Sequence, residues 1–332
     1  MLSDILHTVV PLPWQSEYWQ QLHERLTTGV LPHAILLRGV QGTGKGQFAL
    51  AFGQFLLCMS PVGGVACGKC KGCLLMQGGS HPDLKIVEPE DDGKAIKIDQ
   101  IRSVVEFGSK SAQFGGYRVV IIAPTENMNV NASNALLKSL EEPGPKTIML
   151  LVSHQVSGVL ATIKSRCQSL DFPLPSREQS VSWLSSVVTD PERAQLLLNV
   201  AGGAPLRALE MEQKEWLSDR QSIIRAWVGV LKKQNDPIVV AEQWAKYPLP
   251  ELLMWLQAWQ VDLGKVVSGA EFAVLNQDLL PQFKEMAMVC SHNKVFDFYQ
   301  YLLELGSMAS SSTNPNPQLL LEQLLIRWSE NR

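Results

Sequence analysis

Charge is scarce in this chain of 332 residues. Only 18% of them are charged, and 29 Lys and Arg against 32 Asp and Glu leave a formal net charge of -3. That balance excludes a chain that grips nucleic acid alone through an overall basic surface, because neutralising phosphates takes clustered Lys and Arg. Long apolar runs are also missing. The longest, at 147–152 and 119–123, fall far short of the ~18 residues a membrane span needs. The opening Met1-Leu-Ser-Asp-Ile carries an acid where a secretory leader would be basic. A soluble, cytoplasmic protein is expected. Its 45% hydrophobic content is too high for disorder, and its length fits two or three domains of ~100–200 residues each.

Cysteine is sparse too, with six in the chain, but four of them (Cys58, Cys67, Cys70 and Cys73) fall within sixteen residues. A cluster of this kind is not the framework of a small disulfide-bonded domain. The spacing C-x8-C-x2-C-x2-C can surround one tetrahedral zinc ion, with Gly68, Gly72, Lys69 and Lys71 suiting tight turns around an anionic site. Four thiolates leave no position for a substrate water, so the zinc would be structural. An iron–sulfur cluster and a redox dithiol are the alternatives. Zinc is preferred because no other redox feature is present. His81 reads as a loop histidine and not a fifth ligand, and Cys290 as a small buried hydrophobe.

The first half alternates apolar runs with helical patterns. Ala34-Ile-Leu-Leu, Leu84-Lys-Ile-Val, Arg118-Val-Val-Ile-Ile and Thr147 to Ser153 read as strands, with helices at about 46–57, 98–109, 132–140 and 158–167. Strands separated by helices predict a parallel sheet covered on both faces. Asp171-Phe-Pro-Leu-Pro-Ser reads as a break, and helices with turns continue to about Met211. Beyond Gln213 the strand signals vanish and apolar residues recur at three and four, with six of the nine tryptophans in this part. Such a stripe predicts packed helices and a core, not a cofactor site. A loop is expected at Ser310 to Pro317, before a last helix from Gln318 to Trp328.

Gly39-Val-Gln-Gly-Thr-Gly-Lys45-Gly46 follows a strand and opens a helix, the setting in which such a loop cradles phosphates. Gly39, Gly44 and Lys45 are the candidate nucleotide contacts. The hydroxyl that should follow the Lys and hold Mg²⁺ is replaced by Gly46. The strand that should end in an acidic pair ends in Ala123-Pro124, with Glu126 the nearest acid. Phosphoryl transfer is mostly positioning and charge stabilisation. Losing both groups on the metal side predicts an ATPase scaffold that does not bind ATP productively.

Two further segments complete a pattern. Asn131-Ala-Ser-Asn-Ala-Leu-Leu-Lys-Ser-Leu-Glu-Glu-Pro143 reads as a short amphipathic helix, and Ser165-Arg166-Cys167 closes the next helical segment. With the loop after His33-Ala-Ile-Leu-Leu, the four-cysteine insert, Ser80-His-Pro-Asp, Gly202-Gly-Ala-Pro and Asn314-Pro-Asn-Pro-Gln-Leu-Leu-Leu-Glu, the chain resembles the clamp-loader branch of the AAA+ family over nearly its whole length.

The resemblance implies an AAA+ RecA-like α/β domain over residues 1–170 with a zinc-binding insert at about 58–73. It also implies a small helical lid at 171–211 and an all-α collar at 212–332. It implies a non-hydrolysing subunit of a DNA polymerase III clamp loader, with no polymerase or ATPase activity of its own. The partners would be the tau/gamma and delta subunits in a hetero-pentamer, which loads the sliding clamp onto primer–template DNA. Arg166 would act in trans as an arginine finger on a neighbour's ATP, a role its planar, always charged guanidinium suits. Ser153 would occupy the family's sensor position. Arg207 lies at or one place from the second sensor position, with no role assigned. Two rivals stand beside this reading: an active ATPase of the same family using Glu126 and the Lys45 loop, and a zinc-knuckle DNA-binding module using Lys69 and Lys71.

Overall fold

All four apolar runs form strands: β1 (Ala34–Arg38), β2 (Leu84–Val87), β3 (Arg118–Ile122) and β4 (Thr147–Ser153). A fifth, β5 (Gln168–Asp171), joins them in the order β2-β3-β4-β1-β5, every pair parallel. The computed structural model describes residues 2, 7–91, 94–188, 190–309 and 316–331. Most of the loop expected at 310–317, and Thr189, lie outside the described residues.

Strand residues alternate between two cores, as the period of two requires. Ile35, Leu37, Val119, Ile121, Ile148 and Leu150 face one layer, while Leu36, Val120, Ile122, Met149 and Leu151 face the other. The first layer holds α1 (Ser16–Thr27), α2 (Lys45–Leu57) and α3 (Lys71–Gln77); the second holds α4 (Ile98–Gly108), α5 (Val130–Glu141) and α6 (Ala161–Lys164). From Phe48 to Leu57, α2 is buried without a break, the mark of a helix enclosed on all sides.

Two sequence expectations need correction here. The helical pass at 158–167 is only a 3-10 turn, Val156–Gly158, followed by the four residues of α6. Asp171 is not the start of a break but the last residue of β5, where its carboxylate pairs with Arg38 on the adjacent strand. β5 is a largely exposed edge strand, so it carries no apolar signature.

The chain divides into two compact units: Met1–Ser186 with Gly203–Arg207, and Val187–Gly202 with Ala208–Arg332. After β5 come α7 (Arg177–Val187), α8 (Pro191–Val200) and α9 (Pro205–Gln213), then α10 (Trp216–Leu231), α11 (Pro237–Trp244), α12 (Leu249–Val267), α13 (Leu280–Ala287), α14 (His292–Ala309) and α15 (Pro317–Ser329). Three of these start alike. Asp190, Asp236 and Asn316 accept a backbone N–H from the first turn, and a proline follows at the first helical position, where its missing N–H costs nothing. In the second unit α12 lies on α14 and α11 on α15. Trp227, Trp259 and Trp328 are fully buried there, so the tryptophan stripe is core, as its spacing predicts.

Candidate functional site

β1 ends at Arg38 and α2 begins at Lys45, which sets the phosphate loop at the carboxyl edge of the sheet. Open α/β sheets hold their ligands at this edge. Gly39, Gly42 and Gly44 all take positive φ, at 151°, 84° and 86°. The left-handed φ of Gly44 favours glycine whatever the space around it, and a Cβ there would also push against Leu12 Cδ1 at 2.4 Å. Lys45 is buried, and its Nζ donates to the carbonyl of Val40 at 2.6 Å. Burial pushes its pKa down from 10.5 to about 8, with the charge of Glu126 acting in the opposite sense.

Neighbouring side chains of the same unit crowd the loop. Gln15 is fully buried and donates from Nε2 to the carbonyls of Thr43 and Gly44 at 3.1 and 3.0 Å. Trp14 Nε1 donates to the carbonyl of Thr43 at 3.0 Å. A Cβ at Gly42 would meet that of Arg207 at 2.8 Å, which places Arg207 against the loop. A Cβ at Gly46, the start of the missing hydroxyl side chain, would meet Leu2 Cδ2 at 2.9 Å. The loop is legible in the sequence, but Gln15, Trp14 and Leu2 are not. They belong to no motif and arrive from segments before the strand.

On the metal side, β3 runs out into Ala123-Pro124 without a carboxylate. Glu126 is committed to the backbone: its Oε1 accepts the N–H groups of His154 at 2.7 Å and Gln155 at 3.0 Å. Among the described residues, Glu126 Oε2, His154 Nδ1 and Ser153 Oγ have no hydrogen-bond partner, and Ser153 is fully buried at the end of β4. Burial, with the charge of Lys45 adding to it, lowers the His154 pKa to about 4 and keeps its imidazole neutral.

The four cysteines do come together. Their Sγ atoms all lie within 4.8 Å of one another, with Cys58–Cys70 at 3.8 Å and Cys67–Cys73 at 3.9 Å. A tetrahedron with ~2.3 Å metal–sulfur bonds has edges of about 3.8 Å, so the donor set fits one tetrahedral ion. The N–H groups of Cys67, Cys70 and Cys73 point at Cys58, Cys67 and Cys70 sulfurs at 3.3, 3.3 and 3.5 Å, an arrangement that steadies thiolates. His81 stands outside this group. It is buried, and its Nδ1 accepts the N–H of Asp83 at 3.1 Å. Asp83 in turn accepts from Gln113 N, Phe114 N and the buried Arg118. Ser80-His-Pro-Asp therefore builds structure. Cys290 is buried, and burial raises its thiol to about 11.

Arg166 sits just past α6 with its side chain 34% exposed. Its Nε and Nη2 donate to Glu141 Oε1 at 2.9 and 2.5 Å, and its Nη1 donates to the carbonyl of Thr162 at 3.0 Å.

A five-stranded parallel sheet, helices on both faces, a phosphate loop between β1 and α2 and an all-α C-terminal region together define an AAA+ architecture. Two family models match: one described as DNA polymerase III, delta subunit, over residues 14–176, and one as its C-terminal part over 214–330. The DNA polymerase III subunit delta' of Pseudomonas aeruginosa is 38% identical over 320 residues, covering 96% of this chain and 97% of that protein. The Escherichia coli subunit delta' is 31% identical over 325 residues, covering 95% and 94%. The DNA polymerase III subunit tau of Bacillus subtilis is 30% identical over 182 residues, covering 55% of this chain and 32% of that one. The chain belongs to the DNA polymerase III subunit delta' family.

Proposed function

We propose that this chain is a non-hydrolysing subunit of the clamp loader of DNA polymerase III and lends Arg166 to the ATP site of a neighbouring subunit. One contrast carries the reading: the phosphate loop of this chain lacks both groups on the metal side, while Arg166 is presented at the surface. Gly46 has no hydroxyl, Ala123-Pro124 has no carboxylate, and Glu126 is held by two backbone N–H groups. Gly39, Gly44 and Lys45 thus persist as architecture, and ATP does not bind productively.

The domains are residues 1–170 for the AAA+ core, 171–211 for the lid and 212–332 for the helical collar that joins the hetero-pentamer. The partners are tau/gamma and delta subunits and, through the complex, the sliding clamp and primer–template DNA. The place of work is the cytoplasm. Among the described residues no helix is long and apolar enough to cross a membrane. Cys58, Cys67, Cys70 and Cys73 would hold a structural zinc, which supplies a rigid crosslink where the insert has little core of its own.

The test is ATP turnover by a reconstituted complex carrying Arg166→Ala. Assembly should persist and clamp-stimulated turnover should fall at least about tenfold, since such fingers are worth ~10³–10⁵ where measured in GTPases. Unchanged turnover would remove the trans role. ATP hydrolysis by the isolated chain, abolished by changing Lys45, would restore the active-ATPase reading.

A further inference from the structure

The segment from Asn131 to Pro143, which carries much of the family likeness, ends in two acids, Glu141 and Glu142, before the proline. Glu141, the last residue of α5, receives two N–H groups of Arg166 on a single oxygen, Oε1. Thr162, on α6, takes an N–H from the other terminal nitrogen through its carbonyl at 3.0 Å, and Ser165 Oγ lies 3.4 Å from the same nitrogen. Contacts from two elements therefore fix the plane and direction of a side chain that is still about one-third exposed.

Folding stability does not account for this geometry, because exposed ion pairs contribute little to it. Preorganisation does. A free arginine samples many rotamers and must surrender that freedom when it meets its target. Glu141 grips the Nε–Nη2 edge by charge-assisted bonds, whereas the Nη1 side rests on neutral acceptors that phosphate oxygens outcompete.

We propose that Glu141 is a positioning residue that holds the Arg166 guanidinium ready for the phosphates of a nucleotide on an adjacent subunit. This inference rests on the trans reading of Arg166. Glu141 itself touches no nucleotide and acts only through Arg166.

The experiment compares complexes reconstituted with the unaltered chain, Glu141→Ala, Glu141→Gln, Arg166→Ala and the double variant Glu141→Ala/Arg166→Ala. Glu141→Ala should lower kcat for ATP about two- to tenfold, the worth of ordering one long side chain in advance. KM for ATP and the melting temperature should not move. Glu141→Gln keeps an acceptor oxygen and should fall between Glu141→Ala and the unaltered chain. The double variant should be no slower than Arg166→Ala alone.

An equal loss from Glu141→Ala with and without Arg166 would overturn the proposal, because Glu141 would then act elsewhere. Full kcat in Glu141→Ala beside a slow Arg166→Ala would overturn the positioning role and leave the trans finger standing. An Arg166→Ala complex at full speed would bring down both.

Discussion

The ammonium group of Lys45 donates a hydrogen bond to the carbonyl of Val40, 2.6 Å away. The residue that should reach for a phosphate is satisfied by its own backbone, and its buried charge has a lowered pKa. A base that binds its proton more weakly when folded destabilises the fold fully below its folded pKa. That penalty shrinks as pH rises toward the unfolded value.

Between pH 8 and 10.5 the unaltered chain should therefore gain stability relative to Lys45→Met. At ~1.4 kcal/mol per pKa unit the gain is a few kcal/mol. Denaturant unfolding of both proteins at pH 7.5 and pH 10 reads it directly, and a pH-independent difference would contradict the buried-charge account. In the assembled loader, Lys45→Met should leave activity nearly unchanged.

Restoring the missing hydroxyl should not restore hydrolysis. Gly46→Ser places a Cβ against Leu2, β3 ends without an acidic pair to orient a metal, and the next carboxylate, Glu126, is held by the N–H groups of His154 and Gln155. The isolated variant is expected to show no ATP turnover above background. Measurable hydrolysis from this single change would mean that the second defect is harmless.

The thiol cluster predicts a metal content. Purified protein should carry about one zinc per chain, and strong chelation or Cys70→Ser should release it and lower the melting temperature. An iron chromophore, or no metal after gentle preparation, would refute the closed site.

Trp328 stacks on Trp227 with ring centroids 4.2 Å apart and planes 7° from parallel, and its Nε1 donates to the carbonyl of Trp227 at 2.9 Å. Removing a fully buried indole from such a site typically costs ~3–5 kcal/mol. Trp328→Ala should show that loss in the unfolding transition of the helical unit, followed by tryptophan fluorescence. A loss below about 1 kcal/mol would mean that the site collapses around the gap.

What could be read in advance depended on how much chemistry each element carries alone. β1, β3 and β4 were legible because strands buried on both faces are continuous apolar runs, while β2, a half-buried edge strand, still showed the apolar residues Leu84, Ile86 and Val87. β5, Gln168-Ser-Leu-Asp, was not, since an exposed edge strand draws its order from its neighbour and not from its side chains. The four-cysteine cluster was legible as spacing, and the gaps in the phosphate loop as absent residues. The pairing of Arg166 with Glu141 joins positions 25 apart, and the crowding by Leu2, Leu12 and Gln15 joins positions about 30 or more apart in the chain. No local pattern announces either.

The alternation of β3 between two apolar cores has a consequence for pairing fidelity. Sliding Arg118-Val-Val-Ile-Ile by one position exchanges aliphatic for aliphatic on both sides, so greasy contacts alone barely distinguish correct from shifted alignment. The buried union of Arg118 with Asp83 breaks that degeneracy, because a one-step slide would strand two opposite charges away from water. The polar pair thus acts as an index mark, telling an otherwise featureless strand where to stop.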